Sequence, residues 1–420
     1  MKKTRAITII VSLLLLCAMT LNMTGCSFSI KAEDLMEGVS ANKITAIEGL
    51  DGESAIITDF AVRLFKASEE LGEKKNTLIS PLSVLCALAM TANGAEEETL
   101  KQMEQTLGMS IDDLNLYLYS YINALPQGEK YKLNLANSIW FTDHERFTVN
   151  RDFLQTNADY YGADIYKAPF DKTTLKDINR WVKEKTDGMI PEVLDKIPEA
   201  AIMYLINALA FDAEWTEIYE DTQISDGEFT TEGGEKQKVE FMYCGEGKYL
   251  DDGKATGFIK YYSGRKYAFA AMLPNEDISI SDYIASLDGA ALNQLLSNPQ
   301  NTAVKTAIPK FETEYDIEMS EVLKSLGMVD AFEPDIARFG GLGVSEEDNI
   351  YIGRVLHKTF ISVGERGTKA GAVTVVEMVD NASADISDPK KVYLDRPFVY
   401  MLIDCETNIP FFIGVMESVK

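Results

Sequence analysis

Histidine is nearly missing from this chain: His144 and His357 are the two in 420 residues. That excludes histidine-rich metal sites and leaves little room for imidazole acid–base chemistry. Cysteine is scarce as well. The five, Cys17, Cys26, Cys86, Cys244 and Cys405, are scattered and form no C-x-x-C pair, so a disulfide framework has nothing to build on. Positive charge is the third shortage. The 40 Lys and Arg stand against 66 Asp and Glu, a formal charge of −26. Such a chain repels phosphate backbones, which excludes nucleic acid as a partner. No stretch rich in Pro, Gly or Ser divides residues 55–420, so one large domain is expected where length alone would allow two or three. The usual catalytic constellations are absent too, with no G-x-S-x-G elbow and no H-E-x-x-H. Gly253-Lys254 lacks the first glycine and the hydroxyl of a phosphate loop, and Gly340-Gly341-Leu342-Gly343 reads as a plain loop. Nothing argues for an enzyme, a cofactor or a metal site.

What is present begins with an export segment. Lys2, Lys3 and Arg5 precede an apolar run from Ile7 to Met19, the build of a secretory signal. Its end, Met23-Thr24-Gly25-Cys26, resembles the bacterial lipoprotein processing box. In that family the cysteine becomes the lipidated first residue, so Cys26 is the expected lipidation site and an anchor to the outer face of a bacterial membrane. Ordinary cleavage and full secretion is the alternative. Residues 1–25 are read as signal, 26–54 as a polar tether, and 55–420 as the folded domain.

Within that domain Ile56, Phe60 and Leu64 recur every four residues, with Ile57, Ala61 and Phe65 beside them, which predicts an amphipathic helix. Ser80 and Pro81 mark the next start, as cap and first helical residue, with Gly94 just past the end. A further helix runs from Ala95 to Gly108, with Glu96, Glu97 and Glu98 placed to suit its dipole. Another lies around Ile178, Trp181, Val182 and Lys185. The second half carries short apolar runs: Leu205–Phe211, Tyr267–Leu273, Val304–Ile308, Thr359–Val363, Phe398–Ile403 and Phe411–Val415. These read as strands. Helices early and strands late predict an α+β fold.

One segment is neither. From Gly364 to Asp395 the connection is longer than a compact domain should leave unstructured, yet its first half has strand chemistry. Alternate residues give one face of Thr368, Ala370, Ala372, Thr374, Val376 and Met378, and another of Lys369, Gly371, Val373, Val375, Glu377 and Val379. Both charges share the second face, so the first could be buried in a sheet. Its leading residues are small and could enter between two strands.

Glu365-Arg366-Gly367-Thr368-Lys369-Ala370-Gly371-Ala372 resembles the hinge of the serpins, serine protease inhibitors that insert their own loop. The same resemblance extends through Asn76-Thr77-Leu78-Ile79-Ser80-Pro81-Leu82-Ser83 and through Leu205 to Trp215. Further on it takes in Ile308-Pro309-Lys310-Phe311, Leu356-His357-Lys358, Asp395-Arg396-Pro397-Phe398 and Pro410-Phe411-Phe412-Ile413-Gly414, in order and at family spacing. It implies a serpin fold: a single α+β domain with a helical N-terminal part, a large central mixed sheet, additional sheets, and an exposed reactive-centre loop at about 365–395. It implies suicide inhibition. A target serine protease cleaves the loop, becomes a covalent acyl-enzyme, and is trapped as the loop inserts; the inhibitor is a monomer and needs no cofactor. The hinge would be Glu365, Gly367, Thr368, Ala370, Gly371, Ala372 and Thr374. Ser80, Ser83, Asn207 and His357 would form the polar shutter under the opening sheet, and Trp215 the breach where insertion starts. From the residues alone, Asn207 and His357 are simply core polar groups that need partners.

Counting from Glu365 puts the scissile bond at Asn381-Ala382, while counting back from Pro397 points to Ile386; Met378, Val379 and Asp380 complete the candidates. No Lys or Arg occurs between Ala370 and Pro389, so a trypsin-like pocket has nothing to hold. An elastase- or subtilisin-like target is expected. The alternative is a non-inhibitory serpin acting as a surface-anchored binding lipoprotein.

Overall fold

The computed structural model of the protein describes residues 30–72, 76–143, 147–197, 203–345, 349–368 and 389–419. Helix α1, Asp51–Leu71, turns Ile57, Phe60, Ala61, Leu64 and Phe65 into the core. Ile56, expected on that face, is instead 37 % exposed. Helix α2, Pro81–Ala92, is buried along its whole length. A helix apolar all round has no face to give to water. Ser80 stands at its N-cap position, but its hydroxyl makes no capping bond, contrary to expectation. The helix start is packed under a strand, and the Ser80 backbone N–H donates to His357 Nε2 at 3.0 Å. The stretch around Trp181 forms α3, Lys172–Lys185, with Ile178, Trp181 and Val182 buried.

Every strand expected in the second half is present, and three long ones were not anticipated. Tyr131–Thr142 interrupts the helical first half. It interleaves Asn134, Asn137 and Ser138 with its apolar residues, so its alternation is masked. Lys236–Asp251 carries Gly245 and Gly247 mid-strand, which weakens any strand pattern. Phe311–Glu318 alternates buried and exposed residues but is half acidic.

The strands build two large sheets. A nine-stranded sheet holds the apolar runs Tyr267–Pro274, Phe398–Asp404 and Pro410–Met416 side by side, antiparallel; all three are buried on both faces. The other sheet positions the site. Its strands are β1 (Glu33–Asp34), β2 (Tyr131–Thr142), β3 (Asp164–Ala168), β4 (Met203–Glu214), β5 (Phe311–Glu318), β6 (Arg354–Gly364) and β7 (Gly367–Thr368). Their order across the sheet is β1-β3-β2-β4-β7-β6-β5. Residues 32–420 form one compact unit, and within it part of the segment read as a tether adds β1 to the sheet edge. Asn42 is also bonded to Asp159, through its backbone N–H at 2.7 Å and its side chain at 3.0 Å. Among the described residues the cysteines are free: Cys86 buried, Cys244 and Cys405 partly so.

Candidate functional site

At its lower end the central sheet is closed. Tyr204–Ile206 of β4 pair in parallel with Arg354–Leu356 of β6. At the upper end the same two strands are held apart by β7, where Gly367 and Thr368 pair with Glu214 and Ala213 on one side and with Gly364 and Val363 on the other. A two-residue wedge therefore stands between strands that touch lower down. Among the described residues no ladder joins 207–212 to 357–362. Among the described residues, β4 and β6 are separated at the top by the one strand β7.

Gly367 makes the wedge possible. Its φ is +153°, and a Cβ there would lie 2.0 Å from the Ala213 carbonyl oxygen, so no other residue fits so close to a neighbouring backbone. Thr368 is 1 % exposed, and its hydroxyl shares a hydrogen bond with the Tyr262 hydroxyl. Tyr262 is in turn stacked on Trp215, centroids 4.3 Å apart and 9° from parallel. The turn before the wedge is gripped from β4's end. The Trp215 indole N–H donates to the Gly364 carbonyl at 2.9 Å, its backbone N–H to the Arg366 carbonyl at 2.9 Å, and the Tyr219 N–H to the Glu365 carbonyl at 3.0 Å. Ion pairs frame the same turn: Glu365 with Lys310 at 3.1 Å, and Arg366 with Glu214 at 3.4 Å. The Glu365 carboxyl is held below the usual carboxylate range by a hydrogen bond from its own backbone, then by Lys310. These pairs are partly exposed, so each contributes only ~0.2–1 kcal/mol.

Behind the unpaired stretch just above that closed end lie the polar residues singled out by sequence. His357 is 2 % exposed, and its Nε2 accepts from Ser80 N–H. Among the described residues its Nδ1 and the Ser80 hydroxyl have no partner. Burial without a countercharge lowers the His357 pKa to about 3, so it is neutral at neutral pH. Thr359 donates to the Leu78 carbonyl at 2.7 Å, tying β6 to the strand before α2. Ser83 is buried in the same helix. The Asn207 backbone pairs with Asn137 across β4 and β2. Glu365, Gly367, Thr368 and Trp215 thus come together at the top, and Ser80, Ser83 and His357 below. Ala370, Gly371, Ala372, Thr374, the scissile candidates Met378, Val379, Asp380, Asn381, Ala382 and Ile386, and the lipidation candidate Cys26 lie outside the described residues. The sequence reading did not pick out Tyr219 or Tyr262. An aromatic flanked by apolar neighbours carries no local sign that its backbone or hydroxyl reaches a hinge.

Residues 55–419 match the family model of serpins, serine protease inhibitors. The chain belongs to the serpin family. Human Serpin B8 is 30 % identical over 372 residues, covering 86 % of this chain and 97 % of that protein. The leukocyte elastase inhibitor of Equus caballus is 27 % identical over 378 residues, 86 % and 98 % covered. Among solved structures, the thermophilic serpin Tengpin in its native state is 50 % identical, covers 93 % of this chain and 100 % of its own, and superimposes with a TM-score of 0.88. The latent state of Tengpin is 49 % identical, covers 90 % and 100 %, and gives 0.78. At nearly equal identity, this serpin is the more similar to the native conformation. Its role is accordingly protease inhibition in the general sense of the family, and it is not an enzyme.

Proposed function

We propose that this serpin is a suicide-type inhibitor whose loop, once cleaved by a serine protease, continues the wedge at Thr368 as a full strand between β4 and β6. The observation that carries the reading is the register of β7. Extended without a bulge, it sets Lys369 opposite Ser362 and Asp212, and Thr374 opposite His357 and Asn207. Because Thr368 faces inward, Ala370, Ala372 and Thr374 follow it inward, and Lys369 and Glu377 face out. The inward residues are small where the sheet must first part. Thr374 brings a hydroxyl to the level of the buried His357 Nδ1 and Ser80 Oγ, which have no partner among the described residues. Supplying them adds to the driving force of insertion, beside the new ladder hydrogen bonds. The protease, joined to the cleaved loop as an acyl-enzyme through its own nucleophile, is carried along before deacylation.

The absence of Lys and Arg between Ala370 and Pro389 favours elastase- or subtilisin-like targets, with Asn381-Ala382 as the bond cut. The anchor, through a lipid on Cys26 of a bacterial lipoprotein, belongs to the same proposal, as does a monomeric state. Incubation with pancreatic elastase or subtilisin, followed by denaturing electrophoresis and mass analysis, tests the reading. A stable complex of summed mass, with the cut between 378 and 386, is expected. Clean loop cleavage with free, active protease would overturn it in favour of a non-inhibitory serpin. Intact mass of the mature N-terminus tests Cys26.

A further inference from the structure

Behind the breach lies a charge that core packing does not require. Lys260, in the strand Ala255–Tyr261, has a side chain only 3 % exposed, with Nζ 3.0 Å from Glu246 Oε1. The same ammonium lies 4.5 Å from the Tyr219 ring centroid and 5.4 Å from that of Trp215, with Cys244 Sγ at 3.7 Å. A buried ammonium is tolerated only where its charge is met; here one carboxylate and two ring faces meet it. An apolar side chain of the same length would fill this space without any desolvation.

The two rings that it holds belong to the residues gripping the hinge. Trp215 and Tyr219 between them bind the carbonyls of Gly364, Glu365 and Arg366. Trp215 also stacks on Tyr262, whose hydroxyl meets that of Thr368. A continuous column of contacts thus runs from Glu246 through Lys260 and Trp215 to Tyr262 and Thr368. We infer that Lys260 is a positioning residue: paired with Glu246, it fixes the two aromatic residues so that they hold the turn Gly364–Thr368 in place and resist insertion until the loop is cut. The inference rests on the inhibitory reading above and adds what restrains insertion before cleavage.

Removing one charge alone would strand the other, so the test uses the double variant Lys260→Met/Glu246→Gln, which removes the ion pair and leaves no orphan. Lys260→Arg, which keeps the cation, is the conservative companion. Each uncleaved protein is held below its unfolding midpoint, and loop accessibility is sampled over time by brief exposure to subtilisin. Protection of the loop reports insertion without any need for inhibition. The double variant is expected to become protected about tenfold faster than the parent, and Lys260→Arg to stay within about threefold of it. If the double variant unfolds at lower temperature but its loop becomes protected no faster, Lys260 is merely structural and the inference is wrong. The cleaved parent serves as the control. If cleavage fails to raise its unfolding temperature, the insertion reading itself falls and takes this inference with it. A normal rise together with an unchanged conversion rate in the double variant sinks the inference alone.

Discussion

Two residues carry the steepest consequences. Gly367 occupies a backbone conformation that other residues avoid, with Ala213 O where a Cβ would stand. Gly367→Ala should therefore expel the wedge and destabilise the native form by about 1–3 kcal/mol, seen as a lowered unfolding midpoint and faster amide exchange at Thr368. The second residue is His357. It is buried and neutral, with its pKa lowered to about 3 from ~6.5 in an unfolded chain. As pH falls below ~6.5 the unfolded chain takes up the proton and the native form does not, so stability is lost progressively down to about pH 3, at up to ~1.4 kcal/mol per pH unit. Above ~6.5 the group contributes no pH dependence. Urea midpoints of His357→Gln should be flatter than those of the parent between pH 7 and 5.5, where few carboxylates titrate. An equal slope in both would show that His357 is not the group responsible.

At the scale of the element, the proposed mechanism requires the loop's first half to become a strand. Proline at an inward position removes a ladder donor and fixes φ. Ala370→Pro, next inward after Thr368, should slow insertion enough for deacylation to win, turning inhibitor into substrate. The number of inhibitor molecules consumed per protease should rise severalfold, while the rate of loop cleavage stays the same. Continued trapping at parental stoichiometry would contradict the register argument. That argument also explains how much of the element was legible beforehand. The small residues on one face after Gly367, with both charges on the other, are a local property of the chain, and so is the apolar character of Leu205–Phe211 or Phe398–Ile403. The long strand Tyr131–Thr142 was not legible, because its exposed and buried residues are sorted by what packs on each face rather than by a clean polar alternation. Ser80 illustrates the opposite error. Its cap position was readable, but its real partner, His357, is remote in sequence.

At the scale of the molecule, the described residues leave β4 and β6 wedged apart at the top and paired below. In the proposed mechanism a strand inserted there adds ladder hydrogen bonds along β4 and β6 and buries Ala370, Ala372 and Thr374. Cleavage within 378–386 should accordingly raise the unfolding temperature by tens of degrees, read by calorimetry before and after subtilisin treatment. A cleaved form that melts with the intact one would mean that the loop stays outside. The strong negative charge acts at this scale too. Association with a basic protease should slow as ionic strength rises from low to physiological values, and association with an acidic one should quicken. Stopped-flow rates across a salt series distinguish the two.

By itself the sequence determined four of the helices and six of the strands, through periodicity, caps and apolar runs, and with them the α+β class. These depend on neighbours along the chain. Only the tertiary structure decided that β4 and β6 touch below and part above, that Gly367 and Thr368 fill the parting, and that Trp215, Tyr219 and Tyr262 grip them with Lys260 behind. The contacts of β4 and Trp215 with β6 and the hinge join residues well over a hundred apart in sequence. Their register is set by the packing of a whole sheet, which no local pattern encodes.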